Sequence, residues 1–324
     1  MGSGPSFPIV PMKRDKVILI TGANSGLGYE IAKWSAMMGA TVILACRSES
    51  KTKEAVVKMN QEFQDEKSKR TSQLSENTTL ALEFMHLDLV SFESVTNFCE
   101  AFKKSGRKLH VLFCNAGLGF IPYQKTADGM EMLLQVNYLS HFVIIAKLLE
   151  VMQQSGPDCR ILLMSSVAHQ WGTFDLKTIN YSGPPDRFSS KNYYGRSKLY
   201  QIMQAAAMGR RISGSNVTIN SIHPGVVDTP FWRDWDSGIR KCLLCCIKCW
   251  VAISSFEGAK CSIDLTVNPK HAGVNGLYWV DFKIVTPSSD ARNKQKQEEL
   301  WETTLELVRP YLTEEEMKRI NLRN

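Results

Sequence analysis

Residues 17–28 read VILITGANSGLG. Val17–Thr21 is a short apolar run that stops at a glycine, and a helical pattern of apolar residues follows from Leu27 to Met38. Glycines 22, 26 and 28 therefore sit where a strand must turn sharply into a helix. Absent side chains at these glycines let the backbone approach a pyrophosphate, whose charge the helix N-terminus favours, and Gly22, Asn24, Ser25, Gly26, Leu27 and Gly28 are the cofactor-binding candidates of the turn. The spacing is G-x3-G-x-G rather than the general G-x-G-x-x-G, and taken alone it also suits an ordinary tight turn. Its position at the head of a βαβ unit points to a nucleotide.

Working outward, Thr41–Cys46 (TVILAC) is a second buried-strand pattern, followed by a helical stretch to about Phe63. Residues Gln64 to Thr79 are polar and charged and read as an exposed, mobile insertion. Further strand patterns lie at Leu82–Leu87, His110–Cys114, Arg160–Ser165, Val217–His223 and Leu277–Val280. Helical patterns alternate with them at Phe92–Lys104, Val136–Met152 and Tyr194–Met208. Such alternation calls for an α/β fold, a parallel sheet with helices on both faces. No linker or repeat divides the chain, so one domain is expected over residues 15–288, after a disordered segment 1–14 and before a charged helical tail 289–324.

An acidic residue at the end of the second strand would bind the ribose 2′-hydroxyls of NAD; this chain has Ala45-Cys46-Arg47. A guanidinium pairs bidentately with a 2′-phosphate, so NADP(H) is the expected cofactor, with Ser48 and Lys51 assisting Arg47.

The stretch KNYYGRSKLY at 191–200 holds three tyrosines. At about 100° per residue, Tyr194 and Lys198 share a helix face, whereas Tyr193 and Tyr200 lie about 140° and 160° from Lys198. A cation beside Tyr194 is expected to lower its pKa and fit it for proton exchange with a carbonyl oxygen. Ser165-Ser166 and Asn115-Ala116-Gly117 end neighbouring strands, and Asn137 opens the long helix between them. An open α/β sheet places ligands at those strand ends.

TGANSGLG, Asp88, NAG at 115–117, Asn137, Ser166, YGRSK at 194–198 and HPG at 223–225, in that order, resemble the short-chain dehydrogenase/reductase family over about residues 15–285. LACR at 44–47, PYQKTADGME at 122–131, NYLSHF at 137–142 and SSVAHQWG at 165–172 are similar to the branch of retinol dehydrogenases, WW-domain oxidoreductases and chloroplast-translocon dehydrogenases. The resemblance implies a Rossmann-type, doubly wound, mainly seven-stranded parallel sheet. It makes Tyr194 the proton donor or acceptor, Lys198 its partner and a holder of the nicotinamide ribose, Ser166 the hydrogen-bond partner of the substrate oxygen, and Asn137 the support of a proton relay. Ser165 competes with Ser166 for that role. Asp88 and Leu89 would meet adenine, Asn115 the adenosine ribose side, and Pro224, Gly225 and Thr229 the nicotinamide end, with Ala116, Gly117 and Val227 as further cofactor-binding candidates. His169 reads as a pocket-edge residue and His223 as structural. Dimerisation through the helices after the fourth and fifth strands is implied too, with the C-terminal tail blocking or extending that contact.

The segment KCLLCCIKCW at 241–250 puts Cys242, Cys245, Cys246 and Cys249 on one helix face. Four ligands on one short helix do not close a tetrahedron, so no metal site is expected. The stripe reads instead as a greasy cover within a substrate segment at about 229–262, suited to a lipophilic substrate. With Lys241, Lys248 and Trp250 beside it, the stretch 241–253 is also a candidate for peripheral membrane contact.

The bulk composition sets the limits of these readings. The 324 residues are 44% apolar and 22% charged with a net charge of +7, and the basic residues are spread out, so nucleic acid is not an expected partner. Nine cysteines, an odd number without scaffold spacing, suggest reduced thiols in a cytoplasmic protein that is not secreted. The leading expectation is an NADP(H)-dependent oxidoreductase acting on a lipophilic alcohol or carbonyl (retinoid, steroid or lipid aldehyde). The alternative is an NADPH-binding redox sensor or adaptor with little turnover.

Overall fold

The computed structural model describes residues 7–69, 74, 78–227 and 253–321. Strands β1 (Val17–Thr21), β2 (Thr41–Cys46), β3 (Ala81–His86), β4 (Val111–Cys114), β5 (Cys159–Met164), β6 (Val217–His223), β7 (Tyr278–Val280) and β8 (Lys283–Ile284) form one sheet in the order β3-β2-β1-β4-β5-β6-β7-β8. The first seven are parallel, and only the two-residue β8 runs antiparallel, against β7. Strand order reverses between β1 and β4, which opens a crevice at the carboxyl ends of these two strands.

Alternate residues along each central strand feed opposite helix layers, as the pleat requires. Ile18, Ile20, Val42, Leu44 and Phe113 face one core with α1 (Gly26–Met37), α2 (Glu49–Lys69) and α6 (Ser255–Val267). Leu19, Ile43, Leu112 and Ile161 face the other, with α3 (Phe92–Lys104), α4 (Met132–Gln153) and α5 (Ser190–Arg211). Helix α4 is long and apolar enough to cross a membrane, yet 94% of its most apolar window is buried in the protein.

Three expectations change. The helix after β2 continues to Lys69, so its last turn and a half lies in what looked like a mobile insertion. Gln64, Glu66, Lys67 and Lys69 in that stretch have good helix propensity, and a Lys69–Glu66 pair runs along it. Residues 7–14 are not loose either: Phe7 is buried edge-on against Trp34, and Met12 N–H donates to the Met38 carbonyl at 2.6 Å.

The C-terminal segment is helical as expected, but it belongs to the core. Helix α7 (Lys294–Val308) packs on α5 and α8 (Glu314–Ile320) on α4, with Trp301, Val308 and Ile320 buried. The Arg211 guanidinium lies 4.2 Å from the Trp301 ring, and Lys103 and Lys147 both pair with Glu316. These helices pack on the two helices that the resemblance assigns to a dimer contact. The cysteine stripe with Lys241, Lys248 and Trp250, Thr229 and most of the 229–262 substrate segment lie outside the described residues. Chain on either side of the gap meets in a parallel bridge between Val227 and Ile253.

Candidate active site

The turn from β1 into α1 is built around backbone. Gly22 and Gly26 have φ of +66° and +58°, a region costly for residues with a Cβ. Gly28 has no room for one, since a Cβ would overlap the Gly22 carbonyl and lie 2.5 Å from Asn115 Nδ2. Asn115 explains the tightness: its Nδ2 donates to the Thr21 carbonyl at 2.9 Å and to that of Gly22 at 3.3 Å. Thr21 Oγ1 in turn accepts from the N–H groups of Asn115 and Ala116, both at 2.9 Å. Those two bonds use the lone pairs of Thr21, which leaves its proton for His141 Nε2 at 3.0 Å or the more distant Phe113 carbonyl at 3.5 Å. Burial depresses His141 to a pKa of about 4, which keeps it a neutral acceptor. Neither Thr21 nor His141 is among the candidate site residues, although the first opens TGANSGLG and the second lies in NYLSHF, one helical turn after Asn137.

The turn opens into a cleft of about 810 Å³ whose walls include Asn24, Ser25, Arg47, Ser48, Asp88 and Gly117. Arg47 is exposed at its side, directly after β2, with Lys51 one helical turn further on. Asp88 also has a local role, since its Oδ1 accepts from Val90 N–H at 3.2 Å. Leu89, Ala116 and Val136 complete the same wall.

Gly117 also borders a second, smaller cavity of about 150 Å³, mostly apolar, at the ends of β5 and β6. Leu27, Phe120, Val167, Trp171 and Val227 supply apolar walls, with Pro224 and Gly225 beyond them. Ser166, Tyr194 and Lys198 converge in it. Phe120 lies outside the quoted motifs, and Trp171, though inside SSVAHQWG, carries no role in the sequence reading.

Within this cavity the Ser166 hydroxyl is hydrogen-bonded to the Tyr194 side chain. Ser165, its competitor, turns away, and its Oγ donates to the Lys198 carbonyl at 2.8 Å. Tyr193 stacks on Phe188 and donates to the Thr178 carbonyl, while Tyr200 accepts from Arg196 Nε and packs on Tyr138. Of the three tyrosines only Tyr194 reaches the cavity, as helical rotation requires. The Ser166 turn and the Tyr194 helix approach closely at Gly172 and Gly195, where a Cβ on Gly195 would lie 2.6 Å from Gly172 N.

Lys198 lies 5.7 Å from the centre of the Tyr194 ring, and its Nζ donates to the Met164 carbonyl at 2.7 Å. The expected lowering of the phenol pKa does not occur in the protein alone. Burial raises Tyr194 well above the usual tyrosine range, against a smaller lowering by Ser166, and brings Lys198 down to about 7. Both side chains are almost fully enclosed, and desolvation sets the direction of both shifts.

Asn137 sits in a π-helical turn, Gln135–Leu139, inside α4. Its Oδ1 accepts from Leu118 N–H at 2.8 Å, and its Nδ2 donates to the Leu118 carbonyl and to Ser197 Oγ, both at 3.0 Å. Gln201 Nε2 donates to its backbone carbonyl at 2.9 Å. Asn137 thus ties the loop after β4 to the helix carrying Tyr194 and Lys198. His169 is no pocket-edge residue: it is 2% exposed and bonded on both ring nitrogens.

Comparison with known proteins agrees with this architecture. Residues 16–239 match the family model described as short chain dehydrogenase. The chain is 34% identical to retinol dehydrogenase 14 of Mus musculus, over 90% of this chain and 86% of that protein. It is also 34% identical to the WW domain-containing oxidoreductase of Gallus gallus, over 92% of this chain and 69% of the relative. Among solved structures, an uncharacterized protein of Mycobacterium paratuberculosis superposes with a TM-score of 0.71 at 26% identity, over 94% of this chain and 96% of that one. A 3-ketoacyl-(acyl-carrier-protein) reductase of Brucella melitensis complexed with NADH shares the fold, with a TM-score of 0.59 at 20% identity over 82% of this chain and 96% of that one. A strand–glycine–helix cleft joined to a serine–tyrosine–lysine cavity, and a match over most of its length, make this chain a member of the short-chain dehydrogenase/reductase family of oxidoreductases.

Proposed function

We propose that this protein transfers hydride between NADP(H) and a lipophilic alcohol or carbonyl compound. The observation that carries the reading is the Ser166–Tyr194 pair, with Lys198 beside it, in an apolar cavity that shares Gly117 with the glycine-lined cleft. The cleft fits a dinucleotide because its cradle excludes a Cβ at Gly28 and leaves backbone amides at the N-terminus of α1. Arg47, Ser48 and Lys51 form the side suited to a 2′-phosphate. When bound there, the nicotinamide supplies or takes the hydride.

The chain's own residues handle the proton. Tyr194 gives its phenolic proton to a carbonyl oxygen during reduction, or takes one from an alcohol during oxidation. Ser166 donates to the same oxygen and orients it. Lys198, held by the Met164 carbonyl, supplies positive charge when protonated and so stabilises the phenolate. Asn137 fixes the loop and the helix relative to each other, and the apolar walls exclude water. Those walls suit retinoids, steroids and lipid aldehydes or ketones.

An NADPH-oxidation screen with retinal, steroid ketones and medium-chain aldehydes tests the reading, with Tyr194→Phe run beside the wild type. The variant should lose turnover by about 100-fold or more and keep its NADPH affinity. Equal turnover by both would overturn the mechanism. Tight NADPH binding without turnover of any acceptor would favour the redox-sensor reading.

A further inference from the structure

Ser166 heads the short 3-10 turn Val167–Trp171 and caps it, its Oγ accepting from Ala168 N–H at 3.2 Å. Its backbone carbonyl faces His169 Nδ1 at 2.8 Å, and the other ring nitrogen, Nε2, accepts from Ser288 N–H at 3.2 Å. An amide N–H only donates and a carbonyl only accepts, so one tautomer satisfies both bonds: neutral imidazole with its proton on Nδ1. The surroundings favour the neutral form, because burial lowers the basicity of His169 and His223 faces it from β6. The Tyr278 ring, from β7, lies edge-on with centroids 5.2 Å apart.

Ser288 stands where the chain leaves the sheet for the C-terminal helices, and its Oγ caps the single turn Ser289–Arg292. Beyond it the segment is anchored to α5, since Arg210 reaches Gln297 and Arg211 bonds Glu298. A second link runs from the same segment to the neighbour of Asn137, where Tyr138 and Thr304 hydroxyls lie 2.8 Å apart. The C-terminal segment therefore bonds two side chains near the site, His169 in the Ser166 turn and Tyr138 beside Asn137.

We propose that His169 is a positioning residue that ties the Ser166 turn to Ser288 and so holds the Ser166 hydroxyl against Tyr194. The inference rests on the reading of Ser166 and Tyr194 as the reacting pair. A histidine that merely fills the core would affect folding but would not couple Ser288 to turnover.

The test separates the Ser288 amide from its hydroxyl. Ser288→Pro removes the N–H at a residue whose φ of −54° suits proline, and also loses the cap; Ser288→Ala loses only the cap. With the fastest aldehyde of the screen, Ser288→Pro should lower kcat about tenfold, with KM and NADPH Kd changed less than about twofold. Ser288→Ala should stay within about twofold of wild type. In a His169→Asn background, which breaks the link already, Ser288→Pro should add less than about twofold. Equal kcat for the alanine and proline variants, or full additivity with His169→Asn, would overturn the proposal. Should Ser288→Pro fail to fold, amide exchange decides: the Ser288 N–H should exchange faster in His169→Asn than in wild type, and equal protection would overturn the link. The Tyr194→Phe control keeps the two failures apart. Unchanged turnover there removes the reacting pair itself, whereas lost turnover there with unchanged Ser288→Pro removes only the positioning role.

Discussion

The glycine-lined cleft and the apolar pocket meet at Gly117 but are built on opposite principles. The cleft, about 810 Å³, depends on backbone that is consecutive in sequence, with one strand, one turn and one helix supplying its cradle. The pocket, about 150 Å³, is made of side chains from five separate stretches, represented by Leu27, Phe120, Val167, Tyr194 and Val227. One is therefore sensitive to added atoms and the other to removed ones.

Among changes to binding rather than chemistry, adding a methyl group to the cleft should have the largest effect. Gly28→Ala forces a Cβ against the Gly22 carbonyl and Asn115, and NADPH affinity should fall about 10- to 100-fold by calorimetry. Retained affinity would show that the cradle yields, and the contrast would collapse. Arg47→Asp should move the NADP/NAD preference towards NAD by roughly tenfold or more in kcat/KM. An unaltered ratio would show that Arg47 does not read the phosphate.

In the pocket, Phe120→Ala removes a ring whose centroid is 4.8 Å from that of Tyr194. KM for a lipophilic aldehyde should rise about tenfold with NADPH Kd unchanged. A rise in NADPH Kd instead would mean that the two cavities are not separable.

The smallest effect concerns Lys198, whose pKa falls from 10.5 to about 7 on folding. Between those values the unfolded chain binds the proton more tightly, so this group's contribution to stability increases as pH rises through the window and is lost as pH falls towards 7. The difference in Tm between pH 9 and pH 7 should therefore be more positive for cofactor-free wild type than for Lys198→Met. Identical differences would mean that Lys198 is charged in the folded protein.

The cradle of the cleft was legible as local geometry, whereas wall residues such as Tyr29, Glu30 and Ser255 were not. β1, β2 and β6 match the expected strands residue for residue, and the glycines lie in the turn where they were placed. Tyr194 was separable from Tyr193 and Tyr200 because helical rotation is a local property. The pocket was legible only in its polar members. Phe120 and Trp171 look like any apolar residues, and the priority of Ser166 over Ser165 came from resemblance until the Ser165–Lys198 bond was visible. The pKa of Tyr194 was misjudged because a spacing of four residues reveals the neighbouring charge but not the depth of burial that outweighs it. The C-terminal helices looked like a separate tail because charged residues outnumber apolar ones there, although Trp301 and its buried neighbours determine where they dock.

By itself, then, the sequence determined what local geometry controls: strands, the glycine turn, the charge at the end of β2 and the face shared by Tyr194 and Lys198. Tertiary structure alone decided which distant groups meet: Thr21 with His141, Ser166 with Tyr194, and His169 with Ser288 across 119 residues of chain. The physical reason is that periodicity and backbone stereochemistry act over a few residues, whereas burial and hydrogen-bond satisfaction depend on whatever the completed fold brings alongside.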